Sequence, residues 1–479
     1  MIADFFMAFL PELVLLTGAL VLFVVCLGEG RERLARFVAL GTALLAGAGA
    51  LLTLTQKHTL FDGVYAVDSF SQLLKLVVAS GFACVLLLDD RLTDIREDVR
   101  PEYFLFLTLS VCGLAMLVSA IELITLVVAL ELSSFPLYLL VPMRREHQGQ
   151  RAQMESAIKY VMFGVAANGI MLFGMSYLFG LTGSTSLPVL LVKLQPILHT
   201  PLAIAALALT FCGLFYKLAV FPFHFWTPDV YQSASNAVTG LIASVPKIGA
   251  VAVLIRLVSL AAPESQTLAL LVTVLAVASM FYGNLIALQQ KDFKRLLGFS
   301  SIAHAGYALI GFVALDQAGY TAALYYIIGY LFMVLACFAV ICRVSTDGAN
   351  LAIEDLAGLH RRAPLLAITL VTGVFALAGL PPFVGFTGKL SLLSAALSRG
   401  HLALVVIAVI NTAIAAYYYL SVVREAFFRD AGDRPAIALG WPTRVLCLAL
   451  IASIVALGVA PARLFDLISA SLGCVSLPF

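Results

Sequence analysis

Charge is scarce in this chain. Of 479 residues only 12% are charged, against 62% hydrophobic, and the mean hydropathy is +1.03. No soluble domain of this size has that composition, whereas a polytopic helical membrane protein does. The opening run, MIADFFMAFLPELVLLTGALVLFVV, lacks a basic leader and so reads as a retained first span, not a cleaved signal. Phosphate-binding glycine motifs are missing as well. No GxGxxG follows a strand pattern, and Gly388-Lys389 is followed by leucine without the upstream glycine of a Walker A loop. By motif, therefore, the chain binds neither a nicotinamide nor ATP. Its cysteines, Cys26, Cys84, Cys112, Cys212, Cys337, Cys342, Cys447 and Cys474, form no CxxC pair. They are expected to be small apolar packing residues, with no metal or cluster. A net charge of +2 gives no reason to expect nucleic acid as a partner.

What the chain does have is a succession of apolar stretches, each about twenty residues long and separated by short polar loops. Spans are expected near 8–28, 34–54, 69–89, 102–119, 121–142, 155–182, 201–221, 237–259, 266–288, 294–314, 319–343, 364–398, 401–423 and 441–462. The fold class is thus an all-α polytopic membrane protein of about fourteen crossings. Basic residues cluster in alternate loops: Arg31/Arg33/Arg36, Arg91/Arg96/Arg100, Arg144/Arg145/Arg151, Lys291/Lys294/Arg295, Arg343/Arg361/Arg362 and Arg424/Arg429/Arg434/Arg444. The intervening loops hold little beyond Lys57, Lys193, Arg256, Arg399 and Arg463. The positive-inside rule makes the rich loops cytoplasmic and puts both termini outside. A missed or invented span would scramble this alternation.

Two segments are interrupted. One runs into Phe221-Pro222-Phe223-His224-Phe225-Trp226-Thr227-Pro228; the other carries Gly379-Leu380-Pro381-Pro382-Phe383-Val384-Gly385-Phe386-Thr387-Gly388-Lys389 at its middle. Proline removes an amide donor and clashes with the preceding turn, so both helices should break. Such a break survives at membrane depth only where protein or water lines it. The breaks lie about five spans apart, and a unit of five repeated in tandem must appear upside down the second time. Paired interrupted segments point to an inverted-repeat transporter. The expected organisation is three N-terminal helices in 1–100, a first five-helix repeat in 101–260, a second, inverted, in 265–425, and a C-terminal helix in 426–479.

Ionisable residues at bilayer depth are the chemical signal. Each costs at least ~2.5–3.5 kcal/mol, so each is a functional candidate by default. Glu131 lies about ten residues into the fifth span, close to its middle. Lys247 is similarly deep and follows Pro246. Lys217 precedes the first break by a short turn, and Lys389 immediately follows the second. Snorkelling to the interface explains Lys75 and Lys159, near span ends, but explains Lys247 and Lys389 poorly. A lysine pulled one way by burial and the other by a carboxylate changes charge when its partner moves, which suits proton transfer. Glu131 is the natural partner for Lys217. His304, within the polar run Ser300-Ser301-Ile302-Ala303-His304-Ala305-Gly306-Tyr307, reads equally as relay or as packing. For His224 a structural role is favoured. Asp229, Glu155, Glu264 and Asp316 lie near loops and are expected to be solvated.

Several motifs in order, FPFHFWTPDVYQSA (221–234), ASVPKIGAVAVLIR (243–256), FKRLLGFSSIAHAGYALIG (293–311) and GLPPFVGFTGKL (379–390), resemble the antiporter-like membrane subunits of respiratory complex I. ALELSSFPLYLL (129–140) looks like that family's glutamate-bearing fifth helix. The likeness covers about 100 to 425 and is nearest to the subunit-N branch of proton-translocating NADH–quinone oxidoreductase. The M branch has a glutamate where this chain has Lys389, and the L branch is longer. The resemblance implies a proton channel of two half-channels meeting at the membrane centre. By carry-over, Glu131 and Lys217 would be the modulating ion pair, Lys247 the central relay and Lys389 the exit or uptake residue toward the other side. It implies a bacterial inner-membrane protein with no cofactor of its own. Its partners would be a neighbouring M-type subunit, a small K-type subunit and lipid, with NADH and quinone met only through the complex. The alternative is a subunit of a multisubunit sodium/proton antiporter, whose helices are similar.

Overall fold

A computed structural model describes residues 2–28, 30–89, 91–145, 151–260, 265–345 and 348–475. The crossing helices are α1 (Leu10–Cys26), α2 (Glu32–Leu52), α3 (Ser69–Leu88), α4 (Arg100–Ser119), α5 (Leu123–Leu140), α6 (Ala152–Thr182) and α7 (Pro201–Leu218). They continue as the short α8 (Thr227–Ser233), then α9 (Asn236–Val258), α10 (Gln266–Ala287), α11 (Phe293–Val313) and α12 (Gln317–Val344). The last are α13 (Pro364–Ala378), α14 (Val384–Ser398), α15 (Leu402–Phe428) and α16 (Trp441–Val459). Twelve helices among the described residues are individually long and apolar enough to cross a membrane. α1 and the pair α13/α14 bring the crossings to the number expected from sequence.

Helix starts follow local chemistry. Thr200 caps α7, Ser235 caps α9, Asp292 caps α11 and Asp316 caps α12, each side chain accepting from a backbone amide one turn on. Around the middle, α9 and α11 are wholly buried and α12 nearly so, while α2, α6, α15 and α16 turn apolar faces outward. The protein thus has an inner pillar of three helices, apolar in composition yet shielded from lipid by the others. Polar side chains on that pillar find their partners inside the protein, some on the pillar itself and some on the helices around it.

Bonds between loops respect the alternation of faces. Tyr65 bridges Ala120 and Glu122 bridges Ser186 at one end of the bundle, while Ile95 bridges Arg144 and Asp292 bridges Ala352 at the other. Arg144, from a basic loop, is buried and ties three loops of that same face. It donates to the carbonyls of Gln232 (2.9 Å), Ser233 (3.1 Å) and Gly348 (2.7 Å) and to Asn350 Oδ1 (2.9 Å). A miscounted span would have placed one of these partners a membrane thickness away.

Some elements escaped the sequence reading. A short antiparallel hairpin, β1 (His58–Leu60) with β2 (Tyr65–Val67), closes the loop between α2 and α3. Short helices Leu187–Leu194 and Ala462–Val475 lie outside the crossings.

One expectation fails outright. Lys75 does not snorkel: it is 2% exposed and pairs with fully buried Glu12 at 2.5 Å. Tyr65 donates its hydroxyl to the same carboxylate at 2.6 Å. Depth along the chain could not reveal this, because the partner comes from α1, 63 positions earlier in sequence. Breaking such a pair strands a buried charge and costs ~3–5 kcal/mol, whereas apolar replacement of both partners is close to neutral. Lys75→Leu should therefore lower the thermal midpoint of the purified protein, and Glu12→Leu combined with Lys75→Leu should recover most of the loss. A single variant as stable as the parent would contradict this assignment.

Candidate functional site

Two broken helices organise the site. α7 ends at Leu218 with Ala219 left-handed (φ 66°), followed by Phe221-Pro222 in cis and Phe223. α13 ends at Ala378 with Gly379 left-handed (φ 87°), followed by Pro381-Pro382 in cis and Phe383. Residue for residue the two breaks match. A broken helix leaves its last carbonyls without intrahelical partners and aims the negative end of its dipole at whatever lies beyond. In both cases a lysine lies there. The Leu218 carbonyl accepts from Lys247 Nζ at 3.2 Å, and the Leu377 and Ala378 carbonyls accept from Lys389 Nζ at 3.1 Å each. Gly379 permits the second approach, since a β-carbon there would stand 3.0 Å from Lys389 Cδ.

All three lysines are buried, at 3%, 1% and 5% exposure for Lys217, Lys247 and Lys389. Lys217, in the last turn of α7, donates to Ser134 Oγ at 2.6 Å and Ser133 Oγ at 3.2 Å. Both serine hydroxyls donate back to the Leu130 carbonyl, so their lone pairs face the ammonium. Lys247 also donates to Ser301 Oγ at 2.5 Å and sits over the Tyr330 ring at 5.2 Å. Lys389 sits over the Tyr307 ring at 4.6 Å. Hydroxyls, carbonyls and ring faces can hold an ammonium without cancelling its charge.

Between Lys247 and Lys389 stands His304, 2% exposed and within electrostatic reach of both. Its Nδ1 shares a hydrogen bond with Tyr326 OH at 2.5 Å and its Nε2 another with Tyr419 OH at 3.0 Å. Tyr419 in turn meets Ser300 Oγ, and Tyr307 OH lies 2.8 Å from Thr412 Oγ1. Tyr231 OH reaches Ser301 Oγ at 3.1 Å, joining α8 to the Lys247 partner. His304 is therefore enclosed by hydroxyls able both to donate and to accept.

The structure brings these lysines and His304 into one interior, and it gives Glu131 and Lys217 separate partners. Glu131 and Lys217 make no ion pair; Asn168 Nδ2 donates to Glu131 Oε1, and the serines one turn on from Glu131 hold the lysine. Asp229 is not simply solvated. It bridges Lys159 at 2.8 Å and Arg295 at 2.9 Å, and lines a cavity of about 510 Å³ on the basic face. Asp316 caps α12 and pairs with Arg399 at 2.9 Å, while Glu155 is exposed and Glu264 lies outside the described residues. His224 is buried among Phe221, Phe225 and Tyr282. The sequence singles out Ser300-Ser301 only as neighbours of His304 and Ser133-Ser134 not at all, although a signal for their shared role as lysine partners is present. Ser133-Ser134 and Ser300-Ser301 recur at the same depth of α5 and α11, the fifth and tenth spans. Among the described residues no group of three or more His, Cys, Asp or Glu side chains could hold a metal.

Residues 120–415 match the family described as NADH:quinone oxidoreductase/Mrp antiporter, transmembrane. A curated relative from Opitutus terrae, NADH-quinone oxidoreductase subunit N 2, is 63% identical over 98% of each chain. Among solved structures, a chain of respiratory complex I from Thermus thermophilus superposes with a TM-score of 0.83 at 32% identity, covering 96% of this chain and all of that one. A chain of the Mrp complex from a Dietzia species superposes at 0.85 with 22% identity over 98% of this chain and 97% of that one, a likeness of fold alone.

Proposed function

The chain belongs to the NADH:quinone oxidoreductase/Mrp antiporter membrane-subunit family, and from that footing we propose that it is a proton-translocating membrane-arm subunit of NADH–quinone oxidoreductase. Identity of 63% to a subunit-N relative favours this branch over the sodium/proton antiporters, to which the likeness is one of fold. In this reading Glu131 and Lys217 load the first half of the route, Lys247 is the central relay, His304 hands protons onward and Lys389 delivers them to the far side. His224 packs and takes no part. The repeats span 101–260 and 265–425, with 1–100 and 426–479 flanking them. Basic loops face the cytoplasm of a bacterial cell, both termini face outward, and M-type and K-type subunits adjoin the exposed apolar faces. Redox chemistry belongs to other subunits.

One observation carries the reading: three buried ammonium groups are held by hydroxyls and by carbonyls freed at helix breaks, with a doubly hydrogen-bonded imidazole between two of them. Lys75, by contrast, is matched by a carboxylate. Among the described residues, none of these three lysines has a carboxylate within ion-pair distance, and each loses its charge by giving up a proton and regains it by taking one. Hydroxyls and an imidazole pass a proton by taking one on at one atom and releasing another. Carbonyls only accept, so the step from Lys217 to Lys247 needs water or side-chain movement. Lys389→Met in the intact complex, reconstituted into vesicles, should lower protons moved per quinone reduced and slow coupled turnover by roughly tenfold or more. Pumping equal to the parent would contradict the proposal.

A further inference from the structure

Asn168 is the residue that answers for the missing Glu131–Lys217 contact. It sits on α6, 4% exposed, with its amide nitrogen donating to Glu131 Oε1. An ionised carboxylate only accepts, so the amide must present its nitrogen to Glu131 and its oxygen the other way. That oxygen has no hydrogen-bond partner. Buried acceptors are rarely left so, and this one has a definite address. A β-carbon at Gly213 would lie 3.0 Å from it. Gly213 is on α7, four residues before Lys217, and residues four apart share one face of a helix. The orphan oxygen therefore faces the helix surface over which the Lys217 side chain can swing.

The lysine is free to make that swing. Its ammonium has three donors, of which the two serine hydroxyls take two. A flexible four-carbon stem lets it change partner without moving the backbone. The glycine leaves room, because any side chain at 213 would press on both Asn168 and Met171 Sδ, 2.6 Å from the β-carbon position. An amide is suited to stand between a carboxylate and an ammonium, since one end donates and the other accepts.

We infer that Asn168 is a positioning residue for the Glu131–Lys217 couple: its nitrogen holds the carboxylate apart from the lysine, and its oxygen receives the ammonium when Lys217 leaves Ser133 and Ser134. The pair is thus kept open in the state seen and closes across the amide. This inference rests on the proposed proton route through Glu131. A packing role predicts otherwise, because leucine has the branched outline of asparagine without its polar atoms, and glutamine, which keeps the amide but not the outline, would then serve no better.

The test uses the intact complex with Asn168→Leu, Asn168→Gln and, as an independent perturbation that leaves the amide in place, Gly213→Ala. Two quantities are read: protons moved per quinone reduced, and the redox-induced infrared bands of the Glu131 carboxyl, assigned by their loss in Glu131→Gln. Asn168→Leu should shift those bands and lower the proton yield at least twofold, and Asn168→Gln should restore at least half of that loss. Gly213→Ala should shift the same bands even if Asn168→Leu fails to assemble. Unshifted bands in Asn168→Leu or in Gly213→Ala, or a glutamine variant no better than leucine, would overturn the inference. Normal pumping by Glu131→Gln would instead remove Glu131 from the route, and the bands would still decide whether Asn168 holds its carboxylate.

Discussion

Lys247→Met in the assembled complex is expected to lower proton transfer through this subunit by roughly 10²-fold, the lower end of what a positioned acid or base contributes. Methionine nearly matches lysine in length and fits irregular apolar space, so the fully buried α9 should fold around it. Removing an unpaired buried charge is close to neutral for stability, unlike removing one half of an ion pair. What disappears is a charged group that touches both halves of the site. Lys247 Nζ reaches the Leu218 carbonyl beside Lys217 and the Ser301 hydroxyl, which leads to Tyr231. Protons moved per quinone reduced, measured in vesicles with complex content matched to the parent, check this result. An unchanged ratio would remove Lys247 from the route and leave its hydrogen bonds without a purpose.

Gly385→Val should disable the subunit by a different cause. A β-carbon at Gly385 would lie 1.7 Å from the Ala376 carbonyl oxygen, and backbone cannot turn aside as a side chain can. α14 would have to move off α13, and overpacking of this kind costs ~1–3 kcal/mol or more. Lys389 rides on α14 and bonds the last two carbonyls of α13, so the displacement opens the contacts that hold its ammonium. The expected outcome is a lower thermal midpoint together with lost pumping. Gly180→Ala in α6 is the control, because its β-carbon position is open and alanine favours a helix by up to ~1 kcal/mol. Equal stability of the two variants would contradict the close packing at the second break.

The fold was legible because each crossing announces itself by an apolar run and each loop by its charge. The site's charged members were legible for the same reason: Lys217, Lys247 and Lys389 stand out against hydrocarbon-like neighbours. Pairings were not legible. Depth along a helix gives no rotation toward a partner, which is why Lys75 was read as snorkelling although it meets Glu12 from another helix. Charge and the family resemblance both couple Glu131 to Lys217, but neither shows that neutral Asn168 and two serines hold the two groups here. Uncharged polar residues within apolar helices carry little weight in a sequence pattern. Here they make most of the hydrogen bonds. Asp229 looked solvated because it lies near a loop, yet α8 brings it between two cations.

Proton passage needs water to complete the links side chains leave open, above all between Lys217 and Lys247 and between Lys389 and the tyrosines around His304. A high-resolution cryo-electron microscopy map of the assembled, membrane-embedded complex tests this most directly. It should show ordered water within hydrogen-bonding distance of all three ammonium groups and of His304, forming one file through the inner pillar. A map with apolar side chains closed over those gaps and no density between the amines in any turnover state would contradict proton passage through this chain.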